Sequence, residues 1–109
     1  MAETITIEDL RRAIEAGTVT VLEALPRPYF DNEHLPGARN LPLDDLEALA
    51  PALVPDLDAP VVTYCANTAC GNSADAAERL RDLGYTDVRT YPGGKQEWIE
   101  AGLPVEAAG

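Results

Sequence analysis

Two cysteines, Cys65 and Cys70, are the residues of this 109-residue chain best suited to covalent chemistry. They lie in the stretch Cys65-Ala66-Asn67-Thr68-Ala69-Cys70-Gly71-Asn72-Ser73, which holds no charged side chain. Small residues let its backbone curl around an anion. If the loop arches as a cradle, the N–H groups of Ala66, Asn67, Thr68, Ala69, Gly71, Asn72 and Ser73 favour a thiolate on Cys65 and lower its pKa. Cys65 is then a nucleophile. The competing reading makes it a small buried hydrophobe, since free cysteine is among the residue types most often found inside. Cys70 has two readings as well. It is a resolving thiol that attacks an oxidised intermediate on Cys65 and leaves a Cys65–Cys70 disulfide, or it packs the underside of the loop. Metal binding is disfavoured, because two thiols and the distant His34 leave a zinc site short of ligands.

Such a loop needs a strand to deliver Cys65 and a helix to receive the chain behind it. Val61-Val62-Thr63-Tyr64 is an apolar, β-rich run that ends at Cys65. Asn72 or Ser73 caps the following helix, whose Ala76, Ala77, Leu80 and Leu83 recur at helical spacing until Gly84 supplies a left-handed stop. Strand, loop and capped helix together favour the nucleophile. Upstream, Thr6 and Asp9 open an amphipathic helix carrying Leu10, Ala13 and Ile14 and stopped at Gly17. Val19 to Leu22 is a strand ending at Glu23, and Pro26 to Gly37 is a Pro-broken loop. Leu43 to Ala50 is a short helix bounded by Pro42 and Pro51. Downstream, Val88 to Tyr91 is a third strand, Gly93-Gly94 a tight turn, and Gln96 to Ala101 a last helix stopped by Gly102 and Pro104. Strands alternating with helices over short links predict an α/β fold, with a mostly parallel sheet and helices on both faces. Ligands in such folds sit outside the carboxyl ends of the strands, where Cys65 falls.

At 11.7 kDa, with 46% hydrophobic and 25% charged residues, residues 1–109 have the makings of one globular domain. Nineteen acidic residues against eight basic ones leave a net charge of -11. That field repels phosphate-rich partners and predicts no nucleic acid and no membrane partner. The opening Met1-Ala2-Glu3-Thr4 is acidic and polar, and the longest uncharged apolar stretch, Leu49 to Val54, is short and Pro-interrupted. With too few cysteines for a disulfide framework, these features predict a soluble, cytoplasmic protein. The acidic surface suits solubility, or docking to a basic protein; the acids are scattered rather than clustered.

Four blocks, in order and over nearly the whole chain, resemble the single-domain rhodanese-like proteins. They are Val21-Leu22-Glu23-Ala24-Leu25 with Phe30; Glu33-His34-Leu35-Pro36-Gly37-Ala38 running into Asn40 and Pro42; Val62-Thr63-Tyr64-Cys65; and Leu83-Gly84-Tyr85 through Val88 to Gly93-Gly94, Trp98 and Ala101 to Val105. The resemblance implies a rhodanese-like α/β fold with a five-stranded sheet, no cofactor, and a catalytic Cys65. That cysteine takes sulfane sulfur as a persulfide and passes it to a thiol or another nucleophilic acceptor. Each loop hydrogen bond to the anion would contribute about 1.5–3 kcal/mol.

The chain also departs from the pattern. Similar sulfurtransferases carry Asp then Arg where this chain has Glu23 and Leu25, so apolar packing is expected in place of a structural ion pair. They carry a basic residue near the end of the loop, where this chain has Cys70. Lys95 becomes the basic residue best placed to reach the loop mouth and bind substrate, ahead of Arg27 and Arg39. A small thiol persulfide or a persulfide-bearing protein is then favoured over thiosulfate as donor. A phosphatase or arsenate-reductase loop is disfavoured, since Gly71 stands where its clamping arginine would be and the next arginine is Arg79. His34 matches a loop-organising residue, and Trp98 a core anchor. Two other readings stand: a thiol–disulfide protein using Cys65 and Cys70, and a non-catalytic binding module.

Overall fold

Period-two alternation divides each strand of the sheet between two helical layers. Leu22, Val61 and Val88 pack with Leu46, Ala50, Ala76, Ala77 and Leu80, whereas Val21, Val62, Tyr64 and Tyr91 pack with Leu10 and Trp98. The computed structural model describes residues 3–107; Met1 and Ala2 of the acidic opening segment lie outside them. The elements run α1 (Ile7–Ala16), β1 (Thr20–Glu23), α2 (Arg27–Asn32), β2 (Arg39–Asn40), a 3-10 turn (Leu43–Asp45), α3 (Leu46–Leu53), β3 (Val61–Tyr64), α4 (Asn72–Asp82), β4 (Val88–Tyr91) and α5 (Gly94–Glu100). Helices α3 and α4 cover one face, and α1 and α5 the other.

The sheet is wholly parallel, in the order β2-β1-β3-β4. Among the described residues four strands form rather than the expected five. A lone parallel bridge between Thr4 and Thr90 occupies the edge beyond β4, where the Ile5 amide donates to the Thr90 carbonyl at 3.0 Å. The pairing ends there because Thr6 already caps α1, its side chain accepting from the Asp9 amide at 3.2 Å.

Three local expectations change. Pro26 to Gly37 contains α2, whose prolines lie at or before the first turn, where a missing N–H costs nothing. Helix α3 runs through Pro51 to Leu53; Pro51 is exposed, and the carbonyl it orphans belongs to the exposed Glu47. Helix α4 begins behind Gly71, so neither Asn72 nor Ser73 caps it.

Candidate active site

All four residues of β3 are buried, and Cys65, which follows them, shares the parity of Val61 and Thr63. It therefore faces α4. The Thr63 hydroxyl donates to the Ser73 carbonyl at 2.8 Å, which holds the first turn of α4 against the strand end. Cys65 is only 1% exposed. Its sulfur is joined to that of Cys70 as a disulfide, with the Cα atoms 6.4 Å apart, within normal bridging range. The same sulfur lies 3.4 Å from the Cys70 carbonyl oxygen and 3.7 Å from Ser73 Oγ. A bridged sulfur has no proton to donate, so these are contacts that become hydrogen bonds once the thiol is free.

The loop between the cysteines is not arched as the anion cradle expected from its composition. The Ala69 amide donates to Asn67 Oδ1 at 3.0 Å and the Cys70 amide to the Asn67 carbonyl at 3.1 Å, so both are used within an Asx-type turn. Thr68, Ala69 and Gly71 are exposed, while Ala66 and Asn67 are half-buried. Asn72 donates its side-chain amide to the Ala24 carbonyl at 3.0 Å, tying the end of the loop to the end of β1. Beside Cys70 opens a cleft of about 220 Å³, lined by Thr4, Thr68, Ser73 and Thr90 among others.

Helix α5 supports the loop from behind. The Lys95 amide donates to the Cys65 carbonyl at 2.9 Å, and the Gln96 amide to the Ala66 carbonyl at 2.8 Å. This approach requires Gly94. Its φ is +64°, and a Cβ there would lie 2.5 Å from the Cys65 carbonyl oxygen.

The Lys95 ammonium does not serve the loop mouth. It bonds both carboxylate oxygens of Glu23, at 3.1 and 3.2 Å, and the Tyr29 carbonyl at 3.0 Å. Glu23 is fully buried, and it also accepts from the Tyr64 hydroxyl at 2.7 Å; that hydroxyl in turn accepts from the Leu35 amide at 3.1 Å. Apolar packing has therefore not replaced the ion pair at Glu23. Its cation comes from α5 rather than from position 25, where Leu25 is buried. Glu23 and Lys95 are 72 residues apart, so no local pattern could have joined them. Burial pushes the Glu23 carboxyl up from its ordinary value, against the pull of Tyr64 and Lys95. Burial, then the Glu23 charge, push the Tyr64 phenol up as well.

The other singled-out residues lie elsewhere. His34 stacks on Phe30 with ring centroids 3.9 Å apart, and its Nδ1 is 2.8 Å from the Phe30 carbonyl oxygen. Arg27 bonds Asp31, and Arg39 reaches the Leu53 carbonyl. Trp98 is buried and donates to the Pro104 carbonyl at 2.7 Å.

Comparison with known proteins adds independent findings. The sequence profile of the Rhodanese-like domain matches residues 6–101. The chain is 31% identical over 111 residues to the thiosulfate:glutathione sulfurtransferase of Homo sapiens, covering 91% of this chain and 95% of that one. It is 36% identical over 104 residues to the HTH-type transcriptional regulator Rv0324 of Mycobacterium tuberculosis; the match spans 95% of this chain but only 45% of that protein. Among solved structures, a thiosulfate sulfurtransferase from Pseudomonas aeruginosa is similar with a TM-score of 0.86 at 34% identity, over 97% of this chain and 20% of that one.

Proposed function

The chain belongs to the rhodanese-like domain family, and from that premise we propose that it is a sulfurtransferase carrying sulfane sulfur as a persulfide on Cys65. The observation that carries this reading is the place of Cys65, at the carboxyl end of a central parallel strand and against the first turn of α4. The first amides of a helix have no partners within it, and they favour negative charge beside them.

In the dithiol form, the Cys65 thiolate attacks the outer sulfur of the donor. A bond forms between Sγ and that sulfur, and the rest of the donor leaves as an anion. An acceptor thiolate then takes the outer sulfur and returns Cys65 to the thiolate. The first turn of α4 lies beside the persulfide, and Ser73 Oγ offers it a hydrogen bond. A loop without a basic side chain favours a small thiol persulfide or a protein persulfide as donor, although several relatives are named for thiosulfate. Thiol persulfides and acceptor thiols belong to a reducing, cytoplasmic setting. Among the described residues no helix is long and apolar enough to cross a membrane.

Intact-protein and peptide mass spectrometry of the reduced protein tests the reading. Incubation of Cys70→Ser, which holds no partner thiol, with a thiol persulfide or thiosulfate should add the mass of one sulfur to Cys65, and Cys65→Ser should gain none. Equal uptake by these two variants would sink it. A second reading, thiol–disulfide exchange without sulfur transfer, is favoured by the Cys65–Cys70 bridge alone.

A further inference from the structure

We propose that Cys70 is a resolving thiol that converts the Cys65 persulfide into free sulfide, and that an uncharged dithiol reductant reopens the resulting bridge from the Cys70 side. The proposal rests on the sulfurtransferase reading and names the fate of its sulfur. Two observations carry it: the junction of the two sulfurs, and the unequal exposure of their residues. Cys65 is buried, whereas Cys70 is half-exposed and lines the neighbouring cleft.

In the first step the Cys70 thiolate attacks Cys65 Sγ. The Sγ–Sγ bond forms, the bond from Cys65 Sγ to the outer sulfur breaks, and that sulfur leaves as hydrosulfide with the proton Cys70 gave up. Both cysteines are oxidised to the disulfide, and the sulfane sulfur is reduced to sulfide. In the second step a thiolate of the reductant attacks the accessible sulfur, Cys70 Sγ, and Cys65 leaves as a thiolate beside the helix N-terminus. The second thiol of the reductant then displaces Cys70, and the reductant becomes a disulfide.

The cleft suits such a visitor. Among the described residues no charged side chain lines it; Thr4, Thr68, Ser73 and Thr90 are among its lining residues. Thr90 is 5% exposed, and among the described residues its Oγ1 has no hydrogen-bond partner. In a chain of net charge -11, an uncharged dithiol enters this cleft without the repulsion an anionic thiol meets.

The test loads the reduced full chain and its Cys70→Ser variant with a thiol persulfide, removes the donor, and follows protein mass and free sulfide. Cys70→Ser should keep the added sulfur. The wild type should lose it, releasing about one sulfide per loaded chain and ending two hydrogens lighter than the dithiol form. Stable retention of sulfur by the wild type would overturn the resolving role and leave the sulfurtransferase reading intact. Failure of Cys70→Ser to take up sulfur at all would overturn both. Brief treatment of the bridged protein with 2-mercaptoethanol, quenched by acid, should leave the adduct on Cys70. An adduct on Cys65 would overturn the direction of reopening.

Discussion

At Glu23 a carboxyl is held without solvent between a phenol and an ammonium. Removing the cation alone leaves a buried charge unpaired, so Lys95→Met should destabilise the protein. The cost is at most about 3 kcal/mol, the low end for a broken buried pair, because Glu23 can take up a proton instead. Urea denaturation at neutral pH measures it; a loss under about 0.5 kcal/mol would mean the pair behaves like one at the surface. The pH dependence has a definite sign. The folded Glu23 carboxyl titrates above its ordinary value of 4.5, so between that value and the raised one the folded state holds the extra proton. Stability contributed by this group falls as pH rises through that window. In the double variant Glu23→Gln/Lys95→Met this fall is absent, so its stability relative to wild type should rise across the window. Parallel stability–pH curves for the two proteins would refute the assignment. Cys65 and Cys70 belong to the same scale: their spacing allowed a bridge without requiring one, and the turn at Asn67 closes the gap.

Helix α5 does at the level of an element what no side chain of the loop does. Its first amides hold the carbonyls of Cys65 and Ala66, and the contact exists because Gly94 carries no Cβ. Gly94→Ala should cost more than the about 1–2 kcal/mol of a left-handed alanine, since the added carbon also meets backbone. It should also slow sulfur loading by displacing the loop. Gly17→Ala is the control: φ there is +70° with nothing within 4 Å of the added carbon, so it pays the left-handed cost alone and loads sulfur at the wild-type rate. Thermal melts paired with loading rates separate the two. Equal behaviour would show that α5 does not govern the loop. The α2 segment was illegible at this scale because its prolines signal a loop as strongly as a helix start.

Across the whole molecule the net charge of -11 acts on every anionic visitor. Raising ionic strength from about 0.01 to about 0.15 M shortens the Debye length from about 30 to about 8 Å. The loading rate from thiosulfate, a dianion, should therefore increase with salt, and more steeply than that from a persulfide of an uncharged thiol, which carries at most one negative charge. Stopped-time mass spectrometry of loading at the two ionic strengths reads both. A thiosulfate rate that falls with salt would point to a local cationic binding site that outweighs the global field.

Local chemistry in the chain determined a large part of this protein. Alternation in Val61 to Tyr64 places Cys65 at a strand end on the α4 side, the Thr6 cap and the Gly17 stop bound α1, and the composition specifies an acidic globular chain. Such signals act over a few residues, which is why they survive without knowledge of the fold. The tertiary structure alone decided that Lys95 answers Glu23, that Gly94 meets the Cys65 carbonyl, and that the sheet stops at four strands with a bridge at Thr4. Each of these depends on which distant segments the parallel register brings together at the carboxyl end of the sheet, where Glu23, Tyr64 and Tyr91 stand side by side. That register follows from packing both faces at once, a condition no single stretch of sequence contains.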